Sequence, residues 1–472
     1  MQRRSFLSRS LVTGGVALSG PLFWRAAYAE PAVPGPGPYG NLGGIEPDAN
    51  GVVLPEGFSA RLVATSGEMV AGTDYLWHTF PDGGACFAQD DGGWIYTSNS
   101  ELGADDSGVG ALRFDDQGEV ADAYRLLSGT GRNCGGGPTP WGTWLSGEEV
   151  PDGLIWECDP TAADSGEARP ALGTFNHEAV AVDADGEALY LTEDVPDGRL
   201  YRFVPESYPS LDSGELSVAV VADDDTVTWE PVTDASGATT PTRQQGNGTE
   251  FNGGEGIWCE DQTVFFTTKG DNKVWALDIV ESTIEVLYDA ATIPDAPLTG
   301  VDNVTRSASG DLYVCEDGGN MELVIVSPER EVAPFCRFDG QDGSELAGVA
   351  FSPDGSRLYV SSQRGGDSGL GLTYEITGPF RAPAQEPAAT TTTLGGLETP
   401  PGSQGASEGP ADTSDDDGSS APLVVGGVAA AAVAAAVGAA VVVRRRRTTS
   451  SEGSQTVEQE RSEGVGSRGT DH

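Results

Sequence analysis

The stretches AVDADGEALYLTED (181–194), GIWCEDQTVFFTTKG (256–270), SASGDLYVCED (307–317) and AFSPDGSRLYVSSQ (350–363) decide the fold. Each brings a short β-prone run to a turn of Asp, Ser or Gly and then a second strand such as Leu189-Tyr190-Leu191 or Leu358-Tyr359-Val360. Such turns between β-branched and aromatic runs mark antiparallel hairpins. A third strand with alternating apolar residues often follows, as in Arg199-Leu200-Tyr201-Arg202-Phe203 and Lys273-Val274-Trp275-Ala276-Leu277. Working outward, six segments share the pattern: Gly84–Asp115, Pro138–Asp159, His177–Val204, Gly254–Ile279, Val301–Pro328 and Glu345–Ile376.

Repeats of about 40 residues built from antiparallel strands are blades around an axis. The pattern predicts an all-β chain with a six-bladed β-propeller over residues 52–380, preceded by an arm over 30–51. A two-sheet sandwich explains the strands but not the repeat. Between Pro205 and Glu250 the repeat fades, which leaves room for outer strands of the third blade with an insertion, or for a seventh blade.

In a hairpin the start of the first strand lies beside the end of the second. Acids recur at both places: Glu148-Glu149, His177-Glu178 with Glu193-Asp194, Glu255, Asp302-Asn303 with Glu316-Asp317, and Glu345 against Gln363. Lys269 closes the hairpin that Glu255 opens, and Asn133-Cys134 is read as the loop ahead of the second segment. Any one of these acids is ordinarily a solvated turn residue. Repetition at one structural place in several blades predicts acids gathered at one channel mouth, where cations relieve their repulsion. Oxygen ligands suit calcium, and a thiolate suits iron or zinc. With 3 histidines, a zinc site built on several His is excluded. Gly366-Asp367-Ser368-Gly369 imitates a serine nucleophile loop but has the composition of a turn and no companion His–Asp motif.

The net charge of −47, with 73 acidic residues, excludes nucleic acid as a partner. The 6 cysteines show no framework spacing. Residues 1–29 read as a twin-arginine signal: Arg3-Arg4-Ser5-Phe6-Leu7, an apolar stretch Leu11–Trp24 and a small-x-small site at Ala27-Tyr28-Ala29. Residues 381–421, rich in Pro, Thr, Ser, Gly and Asp, predict a disordered stalk. Residues 422–443 are uncharged and followed by Arg444-Arg445-Arg446-Arg447, which predicts a transmembrane anchor with residues 444–472 as a cytoplasmic tail. A cell-envelope sorting signal is the alternative for so mildly apolar a segment. The expected location is the cell surface, reached through the twin-arginine translocase, with the propeller outside.

RNCGGGPTPWGTWLSGEE (132–149) resembles the signature of the PhoX family of alkaline phosphatases. The likeness continues through FNHEAVAVD (175–183), LYLTED (189–194), GGEGIW (253–258), DNVTRSASGDLYVCEDG (302–318) and ELAGVAFSPDGSRLYVSSQ (345–363). The resemblance implies a six-bladed propeller with an iron–calcium cluster that hydrolyses phosphomonoesters. It implies Cys134 as the iron thiolate and Glu148, Glu149, Glu178, Glu193, Glu255 and Glu316 as oxygen ligands, with Cys134 and Glu255 at the catalytic centre. Two positions depart from the family: Gly253 replaces an arginine that grips phosphate, and Gly147 replaces a cysteine. Lys269 or Arg132 is the expected substitute for that grip. The competing readings are a calcium-dependent propeller lactonase or esterase, and a catalytically inactive metal-stabilised surface module.

Overall fold

The computed structural model describes residues 31–103 and 105–382. The export signal over 1–29, the stalk beyond residue 382, the anchor over 422–443 and the tail lie outside the described residues. Among the described residues, no helix is long and apolar enough to cross a membrane.

Six sheets, antiparallel but for one short parallel arm strand and each with its innermost strand at the opening edge, form the blades of a propeller. The inner strands are Pro81–Ala88, Asn133–Pro138, His177–Asp183, Gly254–Glu260, Val301–Arg306 and Leu346–Phe351. Each touches the next, and the last touches the first, so the ring closes. Closure removes the free sheet edges that an open stack would leave. Among the described residues, the helical content is confined to 3-10 turns such as Thr242–Gln244.

The sixth blade borrows its outer strand, Ser59–Thr65, from the start of the domain; this strand pairs with Leu372–Thr377. The arm contributes too: Val33–Pro34 and Val52–Val53 both pair with Glu331–Phe338, the outer strand of the fifth blade. The stretch with the faded repeat holds the outer strands of the third blade, Ser210–Val221 and Val227–Pro231, followed by an insertion, and not a seventh blade. Two segment starts shift. The first blade opens at Pro81 rather than Gly84, and the second at Asn133, so Asn133-Cys134 belongs to a strand instead of a loop.

Strand alternation sends every second side chain into the space between blades. The core is therefore six apolar clusters, one at each junction. Tyr313, Leu323 and Phe335 of the fifth blade meet Leu346, Leu358 and Tyr374 of the sixth. Trp94, Phe114, Ala350 and Tyr359 join the sixth to the first. Truncating a fully buried aromatic such as Phe335 to alanine would cost about 3–5 kcal/mol. All 6 cysteines are free thiols.

Candidate metal centre

One local device recurs at the mouth. In five blades the inner strand opens with a residue paired to the end of the second strand: Pro81 with Ser100, Asn133 with Glu148, His177 with Glu193, Gly254 with Thr268 and Val301 with Glu316. A β-bulge follows at once in all five. Such a bulge leaves one residue off the ladder and re-aims its side chain. Those residues are Asp82, Cys134, Glu178, Glu255 and Asp302. The sixth blade has Leu346 opposite Ser362, so Ala347 takes the equivalent place, and the blade supplies Glu345 instead.

Neighbouring blades hold the ligand backbone. Asn99 Nδ2 donates to Cys134 O at 2.7 Å, Thr192 Oγ1 to Glu255 O at 2.5 Å and Thr267 Oγ1 to Asp302 O at 2.6 Å. Each donor comes from the second strand of the preceding blade. Close approach needs small residues here: a Cβ on Gly83 would stand 2.7 Å from Cys134 O, and one on Gly135 would stand 2.7 Å from Glu178 O.

The result is four overlapping triads: Asp82–Glu101–Cys134, Cys134–Glu149–Glu178, Glu178–Glu255–Asp302 and Asp302–Asp317–Glu345. Within each triad the ligand atoms lie within 4.8 Å of one another. Both carboxylate oxygens of Glu178 are buried without a hydrogen-bond partner. Burial pushes the Glu178 carboxyl well above its usual range, and Glu255 and Asp302 add to the shift. Burial, then Glu101 and Asp302, raise Asp82 to about 8. The Cys134 thiol is pushed up by burial and next by Asp82, whose Oδ2 lies 3.7 Å from Sγ.

Three cationic side chains answer this charge in part. Lys269 Nζ is 2.9 Å from Glu255, 3.4 Å from Asp302 and 3.3 Å from Asp317. The contact with Glu255 Oε1 is an ion pair without hydrogen-bond alignment. Burial alone would lower the Lys269 pKa, but Asp302 and Glu255 outweigh it and keep the ammonium charged. Arg132 bridges Glu101 and Glu149, each at 2.6 Å, and Arg364 reaches Glu345 at 2.8 Å and Glu101 at 3.4 Å. Buried carboxylates stay ionised only when paired or when they ligate cations. Among the described residues, eight carboxylates and a thiol set against three cationic side chains leave a deficit of positive charge. Unpartnered Glu178 sits in the middle of the triads. The donor set fits a cluster of cations: oxygen donors for hard ions, and one sulfur donor for a softer one.

The structure brings Cys134, Glu149, Glu178 and Glu255 of the sequence-selected residues into the triads, with Lys269 and Arg132 against them. It places Glu148, Glu193 and Glu316 outside, because each lies one residue earlier and points into its blade. Glu148 Oε1 accepts from Gly131 N, while its Oε2 accepts from Leu154 N and Trp156 Nε1. Glu316 accepts from Thr299 N and Glu322 N, and Glu193 from Tyr201 Oη and Arg243. These carboxylates staple the loop before the inner strand, or the insertion, to the third strand. Burial raises Glu193 and Glu316 to about 7.

Sequence reading did not select Asp82, Glu101 or Arg364. It placed Asp302, Asp317 and Glu345 at the mouth without naming them as ligands. A signal existed: Asp82-Gly83-Gly84 repeats Cys134-Gly135-Gly136, and Ser100-Glu101 closes its hairpin as Glu193-Asp194 does. Gly253 has φ +68°, and a Cβ there would stand 3.2 Å from Asp194 Oδ1 and 3.9 Å from Lys269 N. Lys269 therefore occupies the neighbourhood from which a side chain at 253 would reach. Gly366–Gly369 is a turn closed by Gly369 N donating to Gly366 O at 3.1 Å.

Comparison with known proteins agrees with the architecture. A solved structure of PhoX from Pseudomonas fluorescens, in complex with vanadate as a transition state analogue, is 17% identical, with a TM-score of 0.59. The match covers 72% of this chain and 98% of that one, and likeness at this identity speaks to the fold. A gluconolactonase from Xanthomonas campestris is 14% identical over 64% of this chain and 86% of its own, with a TM-score of 0.41, too low to carry an argument. No curated protein sequence matches the chain. The family model for alkaline phosphatase PhoX matches residues 108–155, 151–286 and 266–366, more than half of the chain. The chain belongs to the PhoX family of alkaline phosphatases, and its chemistry is that of a phosphoester hydrolase.

Proposed function

We propose that the protein is a cell-surface phosphomonoesterase that releases phosphate from organic phosphoesters with iron and calcium. The observation that carries this reading is the chain of four triads, with Glu178 buried and unpartnered at its centre. Cys134 would hold iron beside Asp82, Glu101, Glu149 and Glu178, and the remaining carboxylates through Glu345 would hold calcium. When bound, the cations neutralise phosphoryl charge and polarise phosphorus.

The chain's own residues do the rest. The bulged strand ends fix the carboxylates before substrate arrives, so little reorganisation is needed at the moment of reaction. Lys269, Arg132 and Arg364 place positive charge around the cluster and bind phosphoryl oxygens. Arg132 and Arg364 have half-exposed forks that suit bidentate contact, whereas Lys269 acts as a point charge. The paired arginines near residue 3 and the uncharged run before Arg444 support export and anchoring.

The test is metal analysis of the purified full chain followed by assay with p-nitrophenyl phosphate. Bound iron and calcium with phosphate release is the expected result. A metal-loaded protein that hydrolyses no phosphoester overturns the reading and leaves a metal-stabilised surface module. Calcium without iron, together with lactone hydrolysis, would transfer the site to the esterase reading.

A further inference from the structure

The first blade carries a second cleft, separate from the metal centre, with about 450 Å³ of open space. Tyr75, His78, Arg125 and Ser128 line it, together with Asp105 and Asp106. Two glycines make room for these side chains. Gly108 and Gly110 lie two residues apart, on one face of the strand Ser107–Phe114. A Cβ on Gly110 would stand 2.6 Å from His78 Nδ1 and 2.9 Å from Tyr75 Oη, and one on Gly108 would stand 2.7 Å from an Arg125 Nη. Imidazole, phenol and guanidinium thus converge over the same stretch of bare backbone.

Two features set this cleft apart. His78 is 93% buried by its 7% exposure, and its Nδ1 has no hydrogen-bond partner, while Nε2 lies 3.1 Å from Ser98 Oγ. Burial, then the charge of Arg125, keep this imidazole neutral. Arg125 is the second feature. In a chain of net charge −47, arginines find carboxylates easily. Among the described residues, every other arginine has a carboxylate within 4.0 Å or lies over an aromatic ring. Arg125 has neither; its Nε donates to Leu127 O at 2.7 Å, and its guanidinium faces and hydrogen-bonds the half-buried Tyr75 phenol.

We propose that this cleft binds a small oxyanion, a phosphate or a carboxylate group, against Arg125 and Tyr75, with His78 packed behind them. Arg125 supplies the charge and a planar fork for two oxygens. Tyr75 Oη donates to one of them, and His78, its Nδ1 enclosed against Gly110, packs behind the phenol. Asp105 and Asp106 favour a singly charged group, a carboxylate or a monoanionic phosphate, and the spare volume admits the organic remainder of an ester or acid. The site does not depend on phosphatase activity, because Arg125 touches none of the metal-centre acids. It is one hydroxyl removed from that centre: Ser98 Oγ, beside His78, also donates to Asp82 O at 3.4 Å.

The test is equilibrium dialysis of the full metal-loaded chain against labelled inorganic phosphate and, separately, labelled acetate. The expected result is one anion per chain lost in Arg125→Gln for at least one of the two probes. Turnover of p-nitrophenyl phosphate should stay unchanged in that variant. Loss with phosphate alone assigns the cleft to phosphate, and loss with acetate alone assigns it to carboxylates. Should Arg125→Gln fail to fold, Tyr75→Phe decides, with binding of the same anion weakened about tenfold, the worth of one charge-assisted contact. Unchanged binding of both probes in the folded variants overturns the proposal. A fall in turnover alongside lost binding also overturns it, since the anion would then belong to the metal centre.

Discussion

Glu316 and Asp317 are neighbours at the end of one strand, yet they serve opposite regions of the molecule. Glu316 points into the fifth blade and accepts two backbone N–H groups; Asp317 points to the mouth and joins Asp302 and Glu345. Glu148 and Glu149 repeat this division in the second blade. The comparison separates two uses of a buried carboxylate. One kind is satisfied by the fold and belongs to its stability. The other is left unsatisfied by the fold and is available to cations. A carboxylate that already accepts from two backbone donors has little left to offer a metal.

Cys134→Ser should produce the largest effect: loss of iron and of phosphoester hydrolysis, with the circular dichroism of the β-fold retained. Iron content is the deciding measurement, and an unchanged value would remove Cys134 from the ligand set. Next comes a matched pair across the two regions. Glu178→Gln should weaken metal binding by at least 100-fold, the upper end of what losing even an outer partner costs. It should not destabilise the metal-free protein, because it replaces a buried carboxyl that no hydrogen bond satisfies. Glu316→Gln should do the reverse, costing about 1.5–3 kcal/mol for its charge-assisted hydrogen bonds, with metal affinity the lesser casualty. Urea denaturation with and without metal reads both. Equal behaviour of the two variants would collapse the distinction.

The metal-free protein should also lose stability as pH rises. Burial, then Glu101 and Asp302, raise Asp82 to about 8, and burial raises Glu149 to about 8 against the opposing charge of Arg132. A carboxyl raised in the folded state binds more protons folded than unfolded. Its contribution is therefore complete below the unfolded pKa of about 4 and lost as pH climbs towards 8. Melting temperatures from pH 4 to 9 check this, and saturating metal should flatten the slope. The smallest expected effect is at the rim. Lys269→Ala should raise KM for p-nitrophenyl phosphate about tenfold, or roughly 1.4 kcal/mol. An unaltered KM would hand the phosphate grip to Arg132 and Arg364.

Much of this was legible before any coordinates. The hairpins at 181–194, 256–270, 307–317 and 350–363 display strand and turn chemistry locally, so the blades and their number could be read from them. The gathering of acids at one mouth followed from hairpin geometry alone. Which acid of each pair faces the mouth did not follow. Successive side chains in a strand point to opposite faces, so the choice between Glu148 and Glu149 depends on register. The bulge that lifts Asp82, Cys134, Glu178, Glu255 and Asp302 off their ladders is a pairing property and leaves no mark in composition.

The amino-acid sequence by itself determined an all-β propeller, a mouth rich in acids with one thiol among them, and a family. These rest on short-range patterns: turn residues, strand alternation and motif order. Only the tertiary structure decided that Ser59–Thr65 closes the sixth blade and that Glu316 holds backbone, and Glu193 holds Tyr201 and Arg243, rather than facing the triads. It also brought Asp82, Glu101 and Arg364 to the centre, and Arg125 to His78 in a cleft of their own. Each of these depends on contacts between residues far apart in the chain, and those distances are set by blade packing rather than by local preference.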